Sequence, residues 1–165
     1  QNLCICRSKL CYNKLVKRAV CPFVDNLSRA CPSYDERNGF FMSKAYGKKV
    51  WLIPDGFLHS VSLNDQVSHE AVCVLNTSDR NAVVSLTLYF EDREPMTGFT
   101  AECNAGRTHH IRLDRIVSEN GEKIPRDTPY ALLVESTEPV VAQYSRLDTS
   151  AVEMALMTTI AYPVE

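Results

Sequence analysis

The chain has 165 residues, of which 45% are hydrophobic and 23% are charged, a composition typical of a globular domain with its own core. No apolar run approaches the roughly 20 residues that span a bilayer, which argues against a membrane-spanning segment. Residues 1–41 carry seven Lys and Arg against three Asp and Glu, a net charge of +4, whereas residues 42–165 carry eleven against seventeen, a net charge of −6. Because phosphate binding depends on Lys and Arg, we expect no nucleic-acid partner for the acidic part.

The first 41 residues differ from the remainder in cysteine content as well as in charge. They hold five of the seven cysteines, separated by one, four, nine and nine residues, and no histidine precedes His59. That spacing is a poor match to a zinc site, and a disulfide scaffold would need an oxidising compartment, which nothing else indicates. We expect residues 1–41 to be a non-native leader or a disordered segment, with a genuine basic extension as the alternative. The domain is then residues 42–165, beginning at Met42.

Short alternating strands separated by turn residues follow from residue 48 onward. The pattern predicts strands at 48–54, 68–76, 82–90, 98–104, 107–113, 130–136, 139–147 and 156–162. Turns are predicted at 54–56, 76–79, 94–95, 104–106 and 138–139, where Pro, Gly, Asn and Asp are concentrated. One helical turn is allowed within residues 149–157, since Ser150 and Glu153 have capping-box spacing. About eight short strands predict an all-β fold, an antiparallel β-sandwich of the jelly-roll kind.

Two of these strands indicate how the sandwich is packed. The strand at 82–90 places Val84, Leu86, Leu88 and Phe90 on one face, and burying each should contribute roughly 1.5–3 kcal/mol, so we expect it to be central. The strand at 68–76 is mainly apolar on both faces after Glu70. It is therefore predicted to be covered on both sides, on its outer face by another subunit.

Polar and ionisable side chains lie inside three strands, although a strand with a buried face normally excludes them from that face. They predict a shared binding surface in which arginine donates, carboxylates accept, and histidine or glutamine does both, a set that suits sugar hydroxyls or a small anion. The candidate ligand-binding residues are His69, Glu70, Arg107, His110, Arg112, Gln143, Arg146 and Asp148, with Trp51 or Tyr144 as an apolar platform. The alternative is structural: the charged residues pair with neighbours to fix strand register or a subunit contact, and Trp51 belongs to the core.

Catalytic and metal-binding patterns are poorly represented. The sequence has no G-x-S-x-G elbow, no phosphate-binding glycine loop and no H-E-x-x-H motif, so we expect neither an enzyme nor a cofactor. His109 and His110 are adjacent in a predicted strand, so their side chains point to opposite faces and cannot easily share a metal ion. Cys73 and Cys103 are interpreted as small buried thiols.

Several motifs follow one another in a fixed order through the domain. They are Trp51-x-Ile53-x-x-Gly56-Phe57, Ser68-His69-Glu70-x-x-Cys73-x-Leu75-Asn76, Tyr89-x-Glu91-Asp92-x-Glu94-Pro95, Arg107-Thr108-x-His110-x-Arg112, Ile124-Pro125-x-Asp127-Thr128-x-Tyr130-Ala131, Glu135-Ser136-x-x-Pro139, Gln143-x-x-Arg146-Leu147-Asp148 and Ala155-Leu156-x-x-Thr159-Ile160-Ala161-Tyr162. In this order, residues 42–162 resemble the sensory rhodopsin transducer family. The resemblance implies a β-sandwich that assembles as a homotetramer in the cytoplasm and relays a signal from a membrane photoreceptor. It also implies small-molecule binding, with sugars as candidate ligands, for members that lack a rhodopsin.

These observations predict a non-enzymatic cytoplasmic sensor or adaptor domain. It binds a small polar ligand, such as a sugar, and relays a signal to another protein through a homo-oligomer. Two alternatives remain open: a protein–protein transducer that docks on a membrane photoreceptor of the sensory rhodopsin type, and a DNA-contacting transcriptional regulator. The net charge of −6 disfavours the second alternative.

Overall fold

The computed structural model describes residues 34–35, 40–41, 44–63 and 65–165, and every regular element in these ranges is a β-strand. The strands are β1 (Tyr34–Asp35), β2 (Phe40–Phe41), β3 (Lys48–Phe57), β4 (His69–Asn76), β5 (Ala82–Tyr89), β6 (Met96–Cys103), β7 (Arg107–Arg112), β8 (Pro129–Asp148), β9 (Ala155–Ile160) and β10 (Tyr162–Val164). In the described ranges, no helix has the length and apolar character needed to cross a membrane. Apart from the β1–β2 pair, the predicted leader at residues 1–41 lies outside the described residues.

The 20-residue strand β8 is shared by the two halves of the sandwich. Its first part pairs with β3 on one side and β5 on the other, and its last part pairs with β4 and β9. β10 and β6 extend the first sheet in the order β10-β3-β8-β5-β6, and β7 extends the second in the order β7-β4-β8-β9. All of these pairs are antiparallel, so the predicted all-β antiparallel sandwich of about eight strands is confirmed.

The core lies between the two sheets and is built from alternate strand residues. On β5, Val84, Leu86 and Leu88 are buried as predicted, and β5 lies between β6 and β8. Phe90 follows the end of β5 and is partly buried against the core. On β4, the inward residues are fully buried but Leu75 is exposed on the other face, so one chain alone does not cover both faces of this strand.

Two predicted turns are wrong, because the chain remains extended there. Residues 138–139 lie inside β8, where no residue from 137 to 139 has a cross-strand partner. Pro139 therefore interrupts no ladder hydrogen bond at the point where β8 passes from one sheet to the other. Residues 54–56 lie inside β3 and form a β-bulge between Ile53 and Gly56.

The C-terminal segment also differs from the prediction. The expected strand at 156–162 is two strands, because β9 pairs with β8 in the second sheet whereas β10 pairs with β3 in the first. Ala161 is buried at the junction. Residues 149–154 form turns and bends, without the allowed helical turn.

Candidate functional site

Glu70 is the most deeply buried of the predicted site residues, with 0% of its surface exposed. One carboxylate oxygen accepts hydrogen bonds from the backbone N–H of Phe57 at 2.7 Å and from Nε of Arg146 at 2.9 Å. The Tyr144 hydroxyl donates to the same oxygen, and the Tyr130 hydroxyl donates to the other. A buried carboxylate is tolerated only when donors compensate for the lost water. Four donors from β3 and β8 do so here.

The protonation states of this cluster follow from burial and from the Glu70 charge. Burial raises the pKa of Tyr130 well above its usual value, and the neighbouring carboxylate raises it further. The same two causes raise the pKa of Tyr144. Burial alone would lower the pKa of Arg146, but hydrogen bonds to Tyr144 and Glu70 outweigh it and the pKa is raised. Both hydroxyls are therefore neutral donors, and Arg146 remains a cation.

A cavity of about 40 Å³ opens beside this cluster. Its lining comes from the end of β3 and the loop that follows it, the start of β4 and the end of β8. It consists of Phe57, His59, His69, Glu70, Arg146, Leu147 and Asp148. Since a water molecule needs about 10–15 Å³ measured in this way, the cavity has room for a few water molecules or one polar group of a larger ligand.

In their neutral forms, the two histidines of the lining offer the cavity one donor and one acceptor. Nδ1 of His59 accepts a hydrogen bond from the Val61 N–H at 3.2 Å, so the proton of the neutral ring lies on Nε2, which is a donor. Nδ1 of His69 lies 2.8 Å from the carbonyl oxygen of Val67 and must donate to it. Nε2 of neutral His69 is then an acceptor.

Besides Glu70, Asp148 and Arg146 supply charged polar atoms to the lining. Hydrogen bonding from the Ser150 side chain, and from its backbone N–H at 2.8 Å, lowers the pKa of the Asp148 carboxyl, which is therefore an acceptor at neutral pH. Nη2 of Arg146 has no hydrogen-bond partner within the described residues, although it lies 3.6 Å from a carboxylate oxygen of Asp55.

Three other predicted residues share the outer face of the second sheet instead. His110 and Gln143 lie opposite Cys73 on either side of β4, and Arg112 lies opposite Ala71. This face is turned away from Glu70, because successive residues of a strand point to opposite sides. His69 lies on the same outer face as Ala71 and reaches the cavity at the start of β4. The predicted polar set is therefore divided between the cavity and the outer face.

On that outer face, Arg112 is bound by the carboxylate of Asp114, which follows the end of β7. Its guanidinium donates two hydrogen bonds to Asp114, at 2.7 and 2.9 Å. Burial raises the pKa of the Asp114 carboxyl, but the bonds and charge of Arg112 outweigh this and the pKa is lowered. The pair corresponds to the structural alternative considered for this arginine.

Arg107 and Trp51 lie outside both groups. Arg107 is exposed at the start of β7 and donates to the carbonyl of Gly106. Trp51 is buried in the core, where its indole N–H donates to the carbonyls of Lys48 and Val140. The structure thus gives Trp51 a core position and not a platform beside the cavity.

Phe57, His59 and Tyr130 belong to the site but were absent from the predicted set, and Tyr144 was expected as an apolar platform, whereas its hydroxyl donates to Glu70. The tyrosines resemble ordinary strand aromatics, and the only available signal was that Tyr144 precedes Arg146 by two residues on the same strand face. His59 lies in a loop, where no periodicity applies. Across the described residues, no group of three or more His, Cys, Asp or Glu side chains is arranged to hold a metal ion.

Comparisons with known proteins agree with this architecture. A family profile described as Anabaena sensory rhodopsin transducer matches residues 46–163. The crystal structure of Thermotoga maritima 1070 is similar with a TM-score of 0.65 and 38% identity, covering 72% of this chain and 97% of that one. The Anabaena sensory rhodopsin transducer is similar with a TM-score of 0.55 and 32% identity, covering 61% of this chain and 99% of that one. A search of curated protein sequences gives no match.

Proposed function

Because this chain belongs to the Anabaena sensory rhodopsin transducer family, we propose that it is a non-enzymatic sensor domain. It binds a neutral, hydroxyl-bearing ligand, such as a sugar, in the cavity beside Glu70. It then relays the bound state to a signalling protein, acting as a homotetramer in the cytoplasm. The transducer family supports the relay, and the cavity chemistry supports the ligand.

The observation that carries the ligand class is the mixed polar lining of the cavity. His59 and Arg146 offer donors, whereas His69 and Asp148 offer acceptors. A hydroxyl group donates and accepts at once, so it matches such a set, whereas a phosphate or carboxylate only accepts.

Charge favours the same ligand class over a small anion. Glu70 and Asp148 line the cavity together with one guanidinium, that of Arg146. Asp55 adds a further carboxylate 3.6 Å from that guanidinium. In the cavity, an anion would be repelled because the carboxylates outnumber the guanidinium, whereas a neutral polyol would not be repelled.

Size determines how such a ligand would enter. Typical pockets for whole small molecules measure about 300–1,000 Å³, far more than the 40 Å³ cavity. One edge of a polyol, with one or two hydroxyl groups, fits inside. The remainder of the ligand lies at the mouth of the cavity.

A thermal-shift screen tests this proposal, because a ligand that binds only the folded state raises the melting temperature. The panel contains glycerol, neutral monosaccharides, acetate, phosphate and methylammonium, each at millimolar concentration. We expect shifts with neutral hydroxyl compounds and none with the anions. Shifts only with anions, or with no compound at all, would contradict the proposed ligand class.

Paired variants locate the binding site. Asp148→Asn replaces one acceptor oxygen with a donor, so it should weaken binding at least tenfold, about 1.4 kcal/mol. His110→Asn is the matched control, because His110 is exposed on the outer face of the second sheet and does not line the cavity. Equal loss in both variants would place the binding site elsewhere.

A protein–protein transducer without a ligand is the second candidate. The similarity to a chain titled Anabaena sensory rhodopsin transducer favours it, and the outer face with His110, Arg112 and Gln143 offers a polar docking surface. Binding to a sensory rhodopsin in lipid nanodiscs tests it. On this model, His110→Glu weakens receptor binding and Asp148→Asn leaves it unchanged, the reverse of the ligand model.

A further inference from the structure

Two hydrogen-bond acceptors line the cavity, and neither receives a donor from across it. In neutral His69, Nδ1 donates to the Val67 carbonyl at 2.8 Å, so Nε2 is an acceptor, and no group of the described residues donates to it. The Asp148 carboxylate only accepts, and Ser150 is the one residue that donates to it in the described part of the chain. Both side chains line the same cavity of about 40 Å³. Two acceptors in so small a space favour a donor that binds both.

His69 can supply that donor with a proton of its own. Histidine is the side chain whose charge ordinarily changes between pH 5 and 8. Because Nδ1 already carries a proton and donates it to Val67, a second proton must bind Nε2, the atom that was the acceptor. Protonated His69 is then both a donor and a cation, and the Asp148 carboxylate lies in the same lining. The proton thus takes the role that a ligand hydroxyl has at neutral pH.

The second histidine of the lining responds to pH in a different way. Nδ1 of His59 accepts a hydrogen bond from the Val61 N–H at 3.2 Å and lies 3.6 Å from a carboxylate oxygen of Asp127. A second proton on this ring must therefore bind Nδ1, whereas Nε2 is a donor in both forms. Since protonation of His59 turns no acceptor of the cavity into a donor, His69 is the histidine that changes the hydrogen bonding of the cavity.

The charged and titratable groups that face His69 come from two strand ends, from its own strand and from one loop. They are Asp114 and Arg112 at the end of β7, Arg146 and Asp148 at the end of β8, Glu70 on β4, and His59 after β3. Two of these three carboxylates already have an arginine partner. Within the described residues, the third, Asp148, forms no ion pair, so protonated His69 is the cation that it lacks. The nearby Asp55 lines a separate groove of about 470 Å³ beside β9, a strand whose six residues are all exposed.

We propose that a proton and a ligand hydroxyl compete for the position between Nε2 of His69 and the Asp148 carboxylate, so that the domain releases its ligand as the pH falls. This inference rests on the proposed function and adds the regulation of the same site. The direction follows from the state that binds, because a hydroxyl donates to neutral His69. The affinity is therefore complete above the pH range in which histidine titrates, and it is lost as the pH falls through that range.

The His69 ring in the ligand-free chain gives the first test. Nitrogen-15 NMR distinguishes the two neutral tautomers and follows the protonation of each histidine ring with pH. We expect neutral His69 to carry its proton on Nδ1. We also expect Asp148→Asn to lower the pH midpoint of the His69 titration by about half a unit or more, because the imidazolium loses its carboxylate. His110, which lies on the outer face, is the control whose midpoint should not change. A neutral ring with its proton on Nε2, or an unchanged His69 midpoint, would overturn the proposal.

Glycerol titrations, followed by the shift in melting temperature, test the competition itself. An ordinary histidine is about nine-tenths neutral at pH 7.5 and about one-tenth neutral at pH 5.5, so the affinity of the native chain should fall about tenfold between them. His69→Gln keeps an acceptor that takes up no proton, so its affinity should be the same at both pH values. His110→Gln, the same substitution at an exposed site outside the cavity, should retain the fall.

The outcomes distinguish this inference from the proposed function. Equal affinity of the native chain at both pH values, or a pH dependence that survives His69→Gln, overturns the competition. If His69→Gln binds no glycerol, the ring titration of the native chain decides, because bound glycerol should lower the His69 midpoint, and an unchanged midpoint contradicts the competition. If no neutral hydroxyl compound binds at pH 7.5, the proposed ligand is wrong, and the ligand-free ring titration still decides whether His69 and Asp148 share a proton.

Discussion

Glu70 shows how a single residue can organise a site from within the core. Its donors come from three places: the Phe57 N–H at the end of β3, the Tyr130 hydroxyl at the start of β8, and Tyr144 and Arg146 near the end of β8. Because one carboxylate binds both parts of β8, it connects the two sheets at the point where the cavity opens. The same bonds fix the orientation of Arg146 toward Asp55.

Glu70→Gln should therefore destabilise the fold. The amide keeps one acceptor oxygen, but its NH₂ group faces a donor, and Arg146 loses its closest counter-charge. We expect the free energy of unfolding to fall by about 2–4 kcal/mol, less than for a fully buried ion pair because Arg146 is partly solvated. Urea denaturation measures this loss. Glu135→Gln, at an exposed position of β8, should change stability by less than about 0.5 kcal/mol. Equal stability of the two variants would show that the cluster contributes little.

The sequence singled out Glu70 and Arg146 because ionisable residues inside strands are unusual. It could not show that they form a pair, since β4 and β8 are far apart along the chain and their register depends on the whole sheet. Trp51 shows a second limit of prediction from sequence. Strand patterning cannot distinguish a tryptophan that faces a ligand from one whose indole N–H is satisfied inside the core.

At the scale of elements, strand positions followed from alternation and turn residues, but two irregularities did not. Pro139 is normally a stop signal, and only the passage of β8 between two sheets makes it harmless. The bulge in β3 contains Gly56, which lies directly opposite Tyr130. There, an added Cβ would come within 2.4 Å of the Tyr130 ring.

Gly56→Ala should accordingly destabilise the fold through this contact. The Tyr130 ring cannot move freely, because its hydroxyl donates to Glu70 and the ring makes an edge-type contact with Phe90. We expect a loss of about 1–3 kcal/mol, as for other overpacked sites. A double-mutant cycle with Tyr130→Leu provides the control, since removing the ring should remove most of the cost. An undiminished cost in that background would assign it to the backbone of the bulge.

For the whole molecule, sharing β8 between two sheets places the cavity near an exposed strand edge. The end of the sandwich brings together the end of β3, the start of β4 and the end of β8, and so creates the cavity. Arg146 lines the cavity and lies opposite Met157 of β9, while Asp55, its ionic neighbour, lines the groove beside that strand. The cavity and the exposed edge of β9 are therefore adjacent, a relation that no local sequence pattern contains.

The most direct test of the ligand proposal is a crystal structure of the chain soaked with the neutral hydroxyl compound that gives the largest thermal shift. We predict a hydroxyl oxygen in the cavity, within about 3.2 Å of both the Asp148 carboxylate and Nε2 of His69. A ligand bound in the groove beside β9, or a cavity that contains only water at saturating ligand, would contradict the account.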